Sequence, residues 1–471
     1  MSDTTPPINT AVPSPRSTPS QIIAHEDLVL PTLWGDGSRK WLNPKLATGK
    51  WWNRRRWLAY GLIAFFVTLP HLRLNGRPLV LLDIVKREFT ILGHTFYPTD
   101  TPLVALLMLL AFTGIMLVTA VGGRVWCGWG CPQTVYLEFL FRPIDRVFKG
   151  LIDKNALIGK PLRLLTYLIC SLLLAHTFLS YFVGTDRLTQ WVRLSPLEHP
   201  TAFLVMGGAT AALLFDFLFF REQFCMIACP YGRFQSVMLD RQSLIVTYDI
   251  KRGEPRVKGK RTLPTKVGDC VDCGRCTAVC PTGIDIRNGL QMECIHCAQC
   301  IDACDSVMEQ VGFAPGLIRY SSSNAMEGQP ARWLRPRTII YPVLISVLSL
   351  LFLYVLSTKF AMDARLMRSP GAPYTMTDPR TAQNNFKVRL VNRSQFAQKY
   401  SIALIQPEGG AADWSSQAEL HLEPGQSTLA PMEVHFPTQQ TAGTGVTSAK
   451  IRVEDESGNR REVSFQLVGP R

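Results

Sequence analysis

Cysteine spacing is the feature of this 471-residue chain that most directly indicates chemistry. Two runs share one pattern, Cys-x-x-Cys-x-x-Cys-x-x-x-Cys. Thiolates are soft ligands that bind zinc, Cu(I) and iron–sulfur clusters. The first run contains Cys270, Cys273, Cys276 and Cys280, and the second contains Cys294, Cys297, Cys300 and Cys304.

Two runs with this spacing predict two [4Fe–4S] clusters, because in bacterial ferredoxins three close cysteines hold one cluster and the fourth reaches to the other. Zinc is the alternative, since paired CxxC motifs also bind zinc. Zinc takes its thiolates as two pairs, whereas these are two runs of four, so the pattern favours clusters and electron transfer. The predicted ligands are Cys270, Cys273, Cys276 and Cys304 for cluster I, and Cys294, Cys297, Cys300 and Cys280 for cluster II.

A second pair of motifs has the pattern CxxxCP and lies just past two apolar segments. The i, i+4 spacing places both thiols on one helix face if the helix continues that far, and the proline tends to end or kink it. Two such helix ends side by side would gather four thiolates suited to Cu(I), zinc or an iron–sulfur cluster. Small buried residues are the alternative, but the duplication favours metal or redox chemistry. The predicted catalytic and copper-binding residues are Cys127, Cys131, Cys225 and Cys229.

Five apolar segments must position these motifs, at about 57–72, 101–121, 161–184, 200–220 and 338–358. The last four reach the roughly 20 residues needed to cross a bilayer. The first is shorter, but it follows the basic residues Arg54–Arg56 and tryptophans that could lie at a membrane surface. The pattern predicts an α-helical polytopic membrane protein with about five spans.

The net charge of +14 is explained by basic residues that flank the apolar segments, so nucleic acid is not expected as a partner. Positive charge marks cytoplasmic loops. It places the amino terminus and residues 122–160 and 221–337 in the cytoplasm, and the carboxyl terminus outside. Reduced thiols and clusters on the cytoplasmic side agree with this orientation. The location implied is a bacterial inner membrane.

The remaining segments complete the predicted domain organisation. Residues 1–50 form a basic cytoplasmic amino terminus, disordered at its start and without the pattern of a signal peptide. The membrane domain covers 51–220, and the cytoplasmic region 221–337 contains the ferredoxin module at about 268–312. After the fifth span, residues 359–471 have short alternating strand-like runs, which predict a periplasmic immunoglobulin-like β-sandwich. His421, His435 and Met432 are interpreted there as surface or core residues.

Two ionisable residues, His176 and Asp216, lie inside predicted spans, where such residues are functional hypotheses by default. Haem would need a second histidine, and His71 is the only obvious candidate, so haem is not favoured. The roles of His176 and Asp216 stay open. Cys170, which lies within the third span, is interpreted as a packing residue.

From about residue 50 to its end the chain resembles the cytochrome c oxidase accessory protein family CcoG, also called FixG or RdxA. The resemblance rests on the run from Arg221 to Met238, on Gly268–Cys273, and on the run from Cys280 to Cys294, combined with both CxxxCP motifs. It implies a membrane-bound oxidoreductase that converts Cu(II) to Cu(I) and supports maturation of cbb3-type oxidase. The resemblance also implies that the eight ferredoxin-type cysteines bind the clusters and that the four CxxxCP cysteines bind copper. Asp305 departs from the pattern, since proline usually follows the last cysteine.

Several alternatives remain open at this point. NapH-type proteins, which share the spans, CxxxCP motifs and ferredoxin tail, suggest a quinol-linked electron carrier. A non-enzymatic assembly scaffold or copper chaperone is a third interpretation. Expected partners are a cytoplasmic or quinol electron donor, copper ions or copper-delivery proteins, and oxidase assembly factors. The donor, the cluster potentials, disulfide cycling of the CxxxCP thiols and homo-oligomerisation are not determined by sequence.

Overall fold

The structure is a computed structural model that describes residues 31–33, 38–74, 77–84, 88–91, 94–96, 100–257, 267–330, 334–358, 361–394, 396–406, 411–414 and 420–471. The predicted disordered start of the chain lies outside these residues. The chain divides into two compact units. The first unit contains Met1–Val67, Phe112–Thr177 and Pro196–Val343, and the second contains Thr68–Ala111, Phe178–Ser195 and Leu344–Arg471.

The helices carry most of the residues up to position 357. In chain order they are α1 (Lys50–Thr68), α2 (Thr101–Gly122), α3 (Val125–Trp129), α4 (Pro132–Tyr136), α5 (Arg142–Lys154), α6 (Ala156–Val183), α7 (Thr185–Arg193), α8 (Pro200–Phe215), α9 (Pro230–Met238), α10 (Ile250–Gly253), α11 (Arg275–Ala278), α12 (Gln299–Gln310), α13 (Ser323–Glu327) and α14 (Pro336–Ser357). Wider π-helical turns occur at Leu137–Phe141, Asp216–Phe220 and Phe224–Ala228.

Four helical segments of the described chain are long and apolar enough to cross a membrane. They are Pro102–Gly122, Ala156–Val183, Pro200–Phe220 and Pro336–Ser357, at the last four predicted spans. The first predicted span, 57–72, corresponds to α1, which begins earlier and ends at Thr68. Three consecutive arginines in α1 shorten its apolar part, so α1 is not among the four. A fifth span therefore stays a prediction.

The ferredoxin module of the first unit is built on a short antiparallel pair, β6 (Ile245–Tyr248) and β7 (Ile318–Ser321), with α11 and α12. Its core buries Leu317 and Ile318 together with four of the cluster-type cysteines, Cys270, Cys276, Cys294 and Cys304. The module also contacts the start of α1. The Asp302 carboxylate on α12 accepts hydrogen bonds from the backbone N–H groups of Trp51 and Trp52, at 3.1 and 2.7 Å. These are first-turn donors with no partner inside their own helix.

Aromatic packing joins the membrane helices of the first unit. The rings of Phe141 and Phe217 stack with centroids 4.1 Å apart, and Phe141 also contacts Tyr167 at 4.9 Å. These residues belong to the π-helical turn after α4, the turn that ends the third of the four apolar segments, and α6. The loop that follows the first CxxxCP motif is therefore anchored to two membrane helices.

The carboxyl-terminal part of the second unit is a sandwich of two antiparallel sheets, which confirms the predicted β-sandwich. One sheet has the order β12-β14-β10-β8, with β9 also paired to β10, and the other has the order β13-β11-β15-β16. Alternate side chains of β10 and β14 enter the shared core. The strands are β8 (Met362–Arg368), β9 (Thr375–Asp378), β10 (Thr381–Asn392), β11 (Gln398–Gln406), β12 (Ala411–Trp414), β13 (Leu420–Leu422), β14 (Ser427–Pro437), β15 (Val446–Asp455) and β16 (Arg460–Val468).

The second unit also contains five short strands before α2. They form an antiparallel pair and a three-stranded antiparallel sheet. The strands are β1 (Arg73–Leu74), β2 (Arg77–Pro78), β3 (Val80–Asp83), β4 (Glu88–Ile91) and β5 (His94–Phe96).

The contact between Asp302 and α1 predicts a measurable loss of stability on substitution. Asp302→Ala should destabilise the first unit by about 1–3 kcal/mol, because two partly buried backbone donors lose their acceptor. Thermal loss of cluster absorbance by the detergent-purified protein measures this, and the variant should lose absorbance at a lower temperature. Glu309→Ala, on the exposed side of α12, is the control. If Asp302→Ala and Glu309→Ala lost their cluster absorbance at the same temperature, the assigned role of Asp302 would be contradicted.

Candidate functional site

The ferredoxin-type cysteines surround two neighbouring cavities. The first cysteine cavity has four cysteines in its lining, and the second has five. The Cys276 side chain contributes to both. The cysteines of the first cavity are Cys270, Cys273, Cys276 and Cys304, and those of the second are Cys276, Cys280, Cys294, Cys297 and Cys300. The structure thus brings together each predicted ligand set, including the fourth cysteine that crosses from the other run.

The turns that present these cysteines hold their backbone in an unusual conformation. Asp272, His296 and Ala298 have φ values of 49°, 54° and 61° although none is glycine. Residues in this left-handed region are strained, and such strain concentrates at functional sites. Loops of this kind can aim successive N–H groups at an anionic group such as an iron–sulfur centre.

Burial and charge around the second cysteine cavity fit a bound anionic cluster. Arg55 is 1% exposed, and its two terminal guanidinium nitrogens have no hydrogen-bond partner among the described residues. Burial lowers the pKa of Arg55, and the neighbouring Cys297 opposes that shift. A buried cation without partners costs free energy unless an anion compensates it. A cluster held by four thiolates would supply that negative charge.

The cysteine geometry suits a larger group than a single ion. Within the described ranges, no set of three or more Cys, His, Asp or Glu side chains is arranged to hold one metal ion. Zinc draws its thiolates in to about 2.3 Å. Each of the two neighbouring cavities is instead lined by four or five cysteines, enough thiolates for one four-iron cluster.

Both CxxxCP motifs have the same local structure, in which the helix does not continue through the motif. The first cysteine of each motif lies in a five-residue helical turn, α3 or Phe224–Ala228. The second cysteine is extended and stands directly before a new helix that begins with proline, α4 or α9. The apolar segment ending at Phe220 breaks at Arg221, whose φ is 51°. The motifs therefore form turns between helices.

These turns bring the four thiols to one cavity, as predicted. The thiol cavity, of about 480 Å³, is also lined by the thioethers of Met226 and Met292 and by Arg124 and Glu293. The four thiols are not arranged for one metal ion as they stand, so side-chain rotation would have to accompany binding by all of them. The cysteines concerned are Cys127, Cys131, Cys225 and Cys229.

Gly128, the residue after Cys127, lies against the backbone of the second cluster-type run. A Cβ atom built on Gly128 would lie 2.3 Å from the carbonyl oxygen of Ile295 and 3.1 Å from the Cα and N of Cys297. Only glycine permits this approach. The Arg55 Nε donates a hydrogen bond to the Gly128 carbonyl at 2.9 Å and so holds the turn from the other side. Ile295 itself lines both the thiol cavity and the second cysteine cavity.

A hydrogen-bond network centred on His296 connects the same two elements. The backbone N–H of Arg124 donates to His296 Nδ1 at 3.0 Å. The His296 carbonyl accepts from Tyr320 Oη at 2.6 Å and from Trp129 Nε1 at 3.3 Å. Burial lowers the pKa of His296 to about 4, which keeps the ring neutral so that Nδ1 can accept. The network fixes the cluster-type turn relative to the first CxxxCP motif.

The cysteines of the thiol cavity are half-buried, and this burial changes the acidity of their thiols. Burial, followed by the neighbouring Cys131, raises the pKa of Cys127 to about 11. Burial also raises the pKa of Cys131, while backbone N–H groups of Thr134 and Gln133 at the start of α4 lower it. Without a bound cation the Cys127 thiol is protonated at neutral pH. Its Sγ donates to the buried Gln235 Oε1 at 3.5 Å.

Several functional residues were missed or misread from sequence. Arg55 and Arg142 were counted among charges flanking the membrane, but both are buried, at 1% and 3% exposure. Arg124 is buried too and lines the thiol cavity. Gln235 and His296 had no sequence signal beyond their position near a cysteine motif.

The structure places the remaining candidates as follows. Asp216 accepts a hydrogen bond at 3.1 Å from Gln133, a residue that lines the thiol cavity, which gives Asp216 a positioning role. His176 belongs to the first unit and His71 to the second. Cys170 packs against the aromatic core around Phe141, in agreement with its predicted packing role.

The close approach of Gly128 predicts that even one added methyl group disrupts the site. Gly128→Ala should lower the iron content below that of the parent protein, because the added Cβ must displace the backbone of the turn that carries Cys297. Iron analysis and EPR of the anaerobically purified protein measure this. Gly61→Ala, where a Cβ meets no atom within 4 Å, is the control, and normal iron content in both variants would contradict the assignment.

The two ligand sets predict independent losses of iron. Cys273→Ser and Cys297→Ser should each reduce iron from about eight to about four atoms per chain, because each removes one ligand of a different four-iron cluster. Cys170→Ser should retain about eight, as expected for two clusters. Bound zinc with little iron in the parent protein would instead support a zinc protein.

Comparison with protein families assigns the cofactor class. Residues 220–323 match the family described as a 4Fe-4S dicluster domain, and residues 104–154 match a 4Fe-4S binding domain. Residues 352–470 match the IG-like fold at the C-terminus of FixG. The chain is therefore an iron–sulfur electron-transfer protein with two [4Fe–4S] clusters and membrane helices.

Comparison with individual proteins assigns the family. The chain is 32% identical to Protein RdxA of Cereibacter sphaeroides, over 87% of this chain and 92% of RdxA. It is 29% identical to the nitrogen fixation protein FixG of Rhizobium meliloti, over 92% and 93% of the two chains. It is 25% identical to the ferredoxin-type protein NapH of Escherichia coli, over 54% of this chain and 88% of NapH. With this similarity along nearly its whole length, the chain belongs to the FixG/RdxA family of membrane-bound iron–sulfur proteins.

Proposed function

We propose that this protein reduces Cu(II) to Cu(I) at the thiol cavity and thereby supports copper-site maturation and assembly of a cbb3-type cytochrome oxidase. The reaction consumes one electron for each copper ion, supplied by a low-potential donor. Copper is the substrate, and it leaves as Cu(I) to a delivery protein or to the oxidase assembly machinery.

The observation that carries the proposal is the shared boundary of two cavities. Ile295 lines both the thiol cavity and the second cysteine cavity, and Gly128 touches the backbone of residues 295–297. When bound, the two clusters supply one-electron storage and transfer. The chain itself supplies a backbone contact between Gly128, the residue after Cys127, and residues 295–297 in the wall of the second cysteine cavity.

The exposure of the cluster-type cysteines indicates where electrons enter the protein. Cys273, in the first cysteine cavity, is the exposed member of the eight cluster-type cysteines. Cys276 contributes to both cysteine cavities. An electron donor that docks near Cys273 would therefore reduce the first cluster, and the electron would pass through the second cluster to the thiol cavity.

The ligands of the thiol cavity favour the proposed product. Four thiols and two thioethers line it, and soft sulfur ligands prefer Cu(I) to Cu(II). Preferential binding of Cu(I) raises the potential of the copper couple, which makes electron transfer to copper favourable. Arg124, buried at the same cavity, offsets negative charge when thiols give up their protons to the metal.

We further propose a bacterial inner-membrane location with the cysteine motifs facing the cytoplasm. The support is the excess of lysine and arginine around residues 122–160 and 221–337, since positive loops face the cytoplasm. The β-sandwich that follows α14 would then lie in the periplasm.

Removal of the four CxxxCP thiols tests the proposal. The variant with alanine at Cys127, Cys131, Cys225 and Cys229 should reduce Cu(II) at least about tenfold more slowly, a loss of about 1.4 kcal/mol or more in barrier lowering. Cu(I) formed by the anaerobically pre-reduced protein, trapped with a Cu(I)-specific chelator, is the measurement. Iron content shows that the clusters remain, and Cys170→Ala is the control. An unchanged rate with full iron would rule out the thiol cavity.

A quinol-linked electron carrier is the second candidate, because NapH shares 88% of its own length with this chain. The match to NapH covers only about half of this chain. A role as a quinol-linked carrier would leave the β-sandwich without a function. Stoichiometric reduction of the clusters by a quinol, without any Cu(II) reduction by the reduced protein, would favour this candidate.

A further inference from the structure

A large basic cavity of the first unit takes no part in the proposed electron path. This basic cavity, of about 720 Å³, lies among residues 41–46, α5, the first part of α6 and the end of the apolar segment Pro200–Phe220. Asp145 is the one acidic residue in its lining. The basic lining residues are Lys45, Arg142, Arg146, Lys149, Arg163 and Arg221.

The acidic side chains near the basic cavity are already engaged. Asp145 accepts a hydrogen bond from Tyr167 Oη at 2.9 Å and pairs with Arg221 at 3.2 Å and Arg163 at 3.6 Å. Glu138 and Glu222 both pair with Arg142. Among the described residues these carboxylates pair with Arg142, Arg163 and Arg221, which leaves three of the six basic lining residues without an ion pair.

The basic lining residues without an ion pair lie in the segment 41–46 and on α5. Lys45, Arg146 and Lys149 form no ion pair with the described residues. The Nε atoms of Arg142 and Arg163 are buried and also lack a hydrogen-bond partner in the described part of the chain. Arg142 is only 3% exposed, and a buried donor left unpaired is costly. A ligand with acceptor oxygens would satisfy both the charge and the donors.

The position of the basic cavity selects the chemistry of the ligand. It lies where one membrane-type helix begins, at Ala156, and another ends, at Phe220, so it belongs to one membrane surface. Basic pockets between membrane helices bind anionic headgroups, and arginine matches the geometry of phosphate oxygens. The apolar lining residues Leu46, Ile152 and Leu218 suit a ligand that also carries hydrocarbon.

We propose that the basic cavity binds a phosphate group, carried by an anionic phospholipid headgroup or by a free phosphate compound. The cavity is linked to the cluster-type cysteines through two contacts. Arg142 donates a hydrogen bond to the Pro281 carbonyl at 3.3 Å, and the Lys45 N–H donates to the Ala278 carbonyl at 2.9 Å. The bound phosphate therefore helps to hold the turn that carries Cys280.

Lipid retention by the full-length protein tests the proposal. Delipidated protein in detergent is mixed with phosphatidylglycerol, with phosphatidylcholine or with inorganic phosphate, and bound adducts are counted by native mass spectrometry. The double variant Arg146→Gln/Lys149→Gln should retain phosphatidylglycerol at least about tenfold less than the parent, because two basic contacts to the headgroup are lost. The matched control Lys154→Gln/Lys160→Gln removes the same charge outside the cavity lining and should retain it.

The probes distinguish the two sources of phosphate. Retention of phosphatidylglycerol alone identifies a lipid site, whereas retention of inorganic phosphate with the same dependence on Arg146 and Lys149 identifies a free phosphate compound. Two results would overturn the proposal. One is equal retention of phosphatidylglycerol by the double variant and its control, and the other is no preference for phosphatidylglycerol or inorganic phosphate over zwitterionic phosphatidylcholine. Unchanged iron content verifies folding of each variant. Lys45→Gln, a change at an exposed position, replaces the double variant if that protein does not fold.

Discussion

Gly128 and the backbone of residues 295–297 touch directly, and the arrangement of the whole redox site depends on this contact. An added Cβ would approach the Ile295 carbonyl oxygen to 2.3 Å, so any side chain would push the first CxxxCP motif away from the cluster-type turn. Arg55 donates a hydrogen bond to the Gly128 carbonyl, and the His296 network joins the two backbones. Beside this contact, Ile295 lines both the thiol cavity and the second cysteine cavity.

The scaffold around the cysteine sites also buries three arginine side chains. Arg55, Arg124 and Arg142 are removed from water, and isolated buried cations are unfavourable. Their positions beside thiols and carboxylates indicate what compensates them. Arg55 and Arg124 face the cysteine sites, whereas Arg142 links Glu138, Glu222 and the Pro281 carbonyl at the basic cavity. Anionic groups on both sides therefore stabilise the same scaffold.

The cysteine sites could be predicted from sequence because ligand spacing is local and repeated, and both ligand sets and the four-thiol cavity follow from it. The sandwich was also predictable, since β10 and β14 alternate buried and exposed side chains. Strands β8, β9 and β12 were missed; β9 is exposed throughout and β8 does not alternate. The condition for placing both thiols of a CxxxCP motif on one helix face is not met, because the helix ends at the motif and proline starts a new helix after it. Arg55 and Gly128 could not be assigned, since their roles depend on contacts with residues far away in the chain.

Direct transfer from the clusters to copper is the central claim, and rapid-freeze EPR tests it most directly. The protein, reduced anaerobically and freed of excess reductant, is mixed with Cu(II) and frozen at successive times. The account predicts that the Cu(II) signal and the reduced-cluster signal disappear together, one electron for each copper ion. Persistence of both signals, or loss of the Cu(II) signal while the clusters stay reduced, would contradict it.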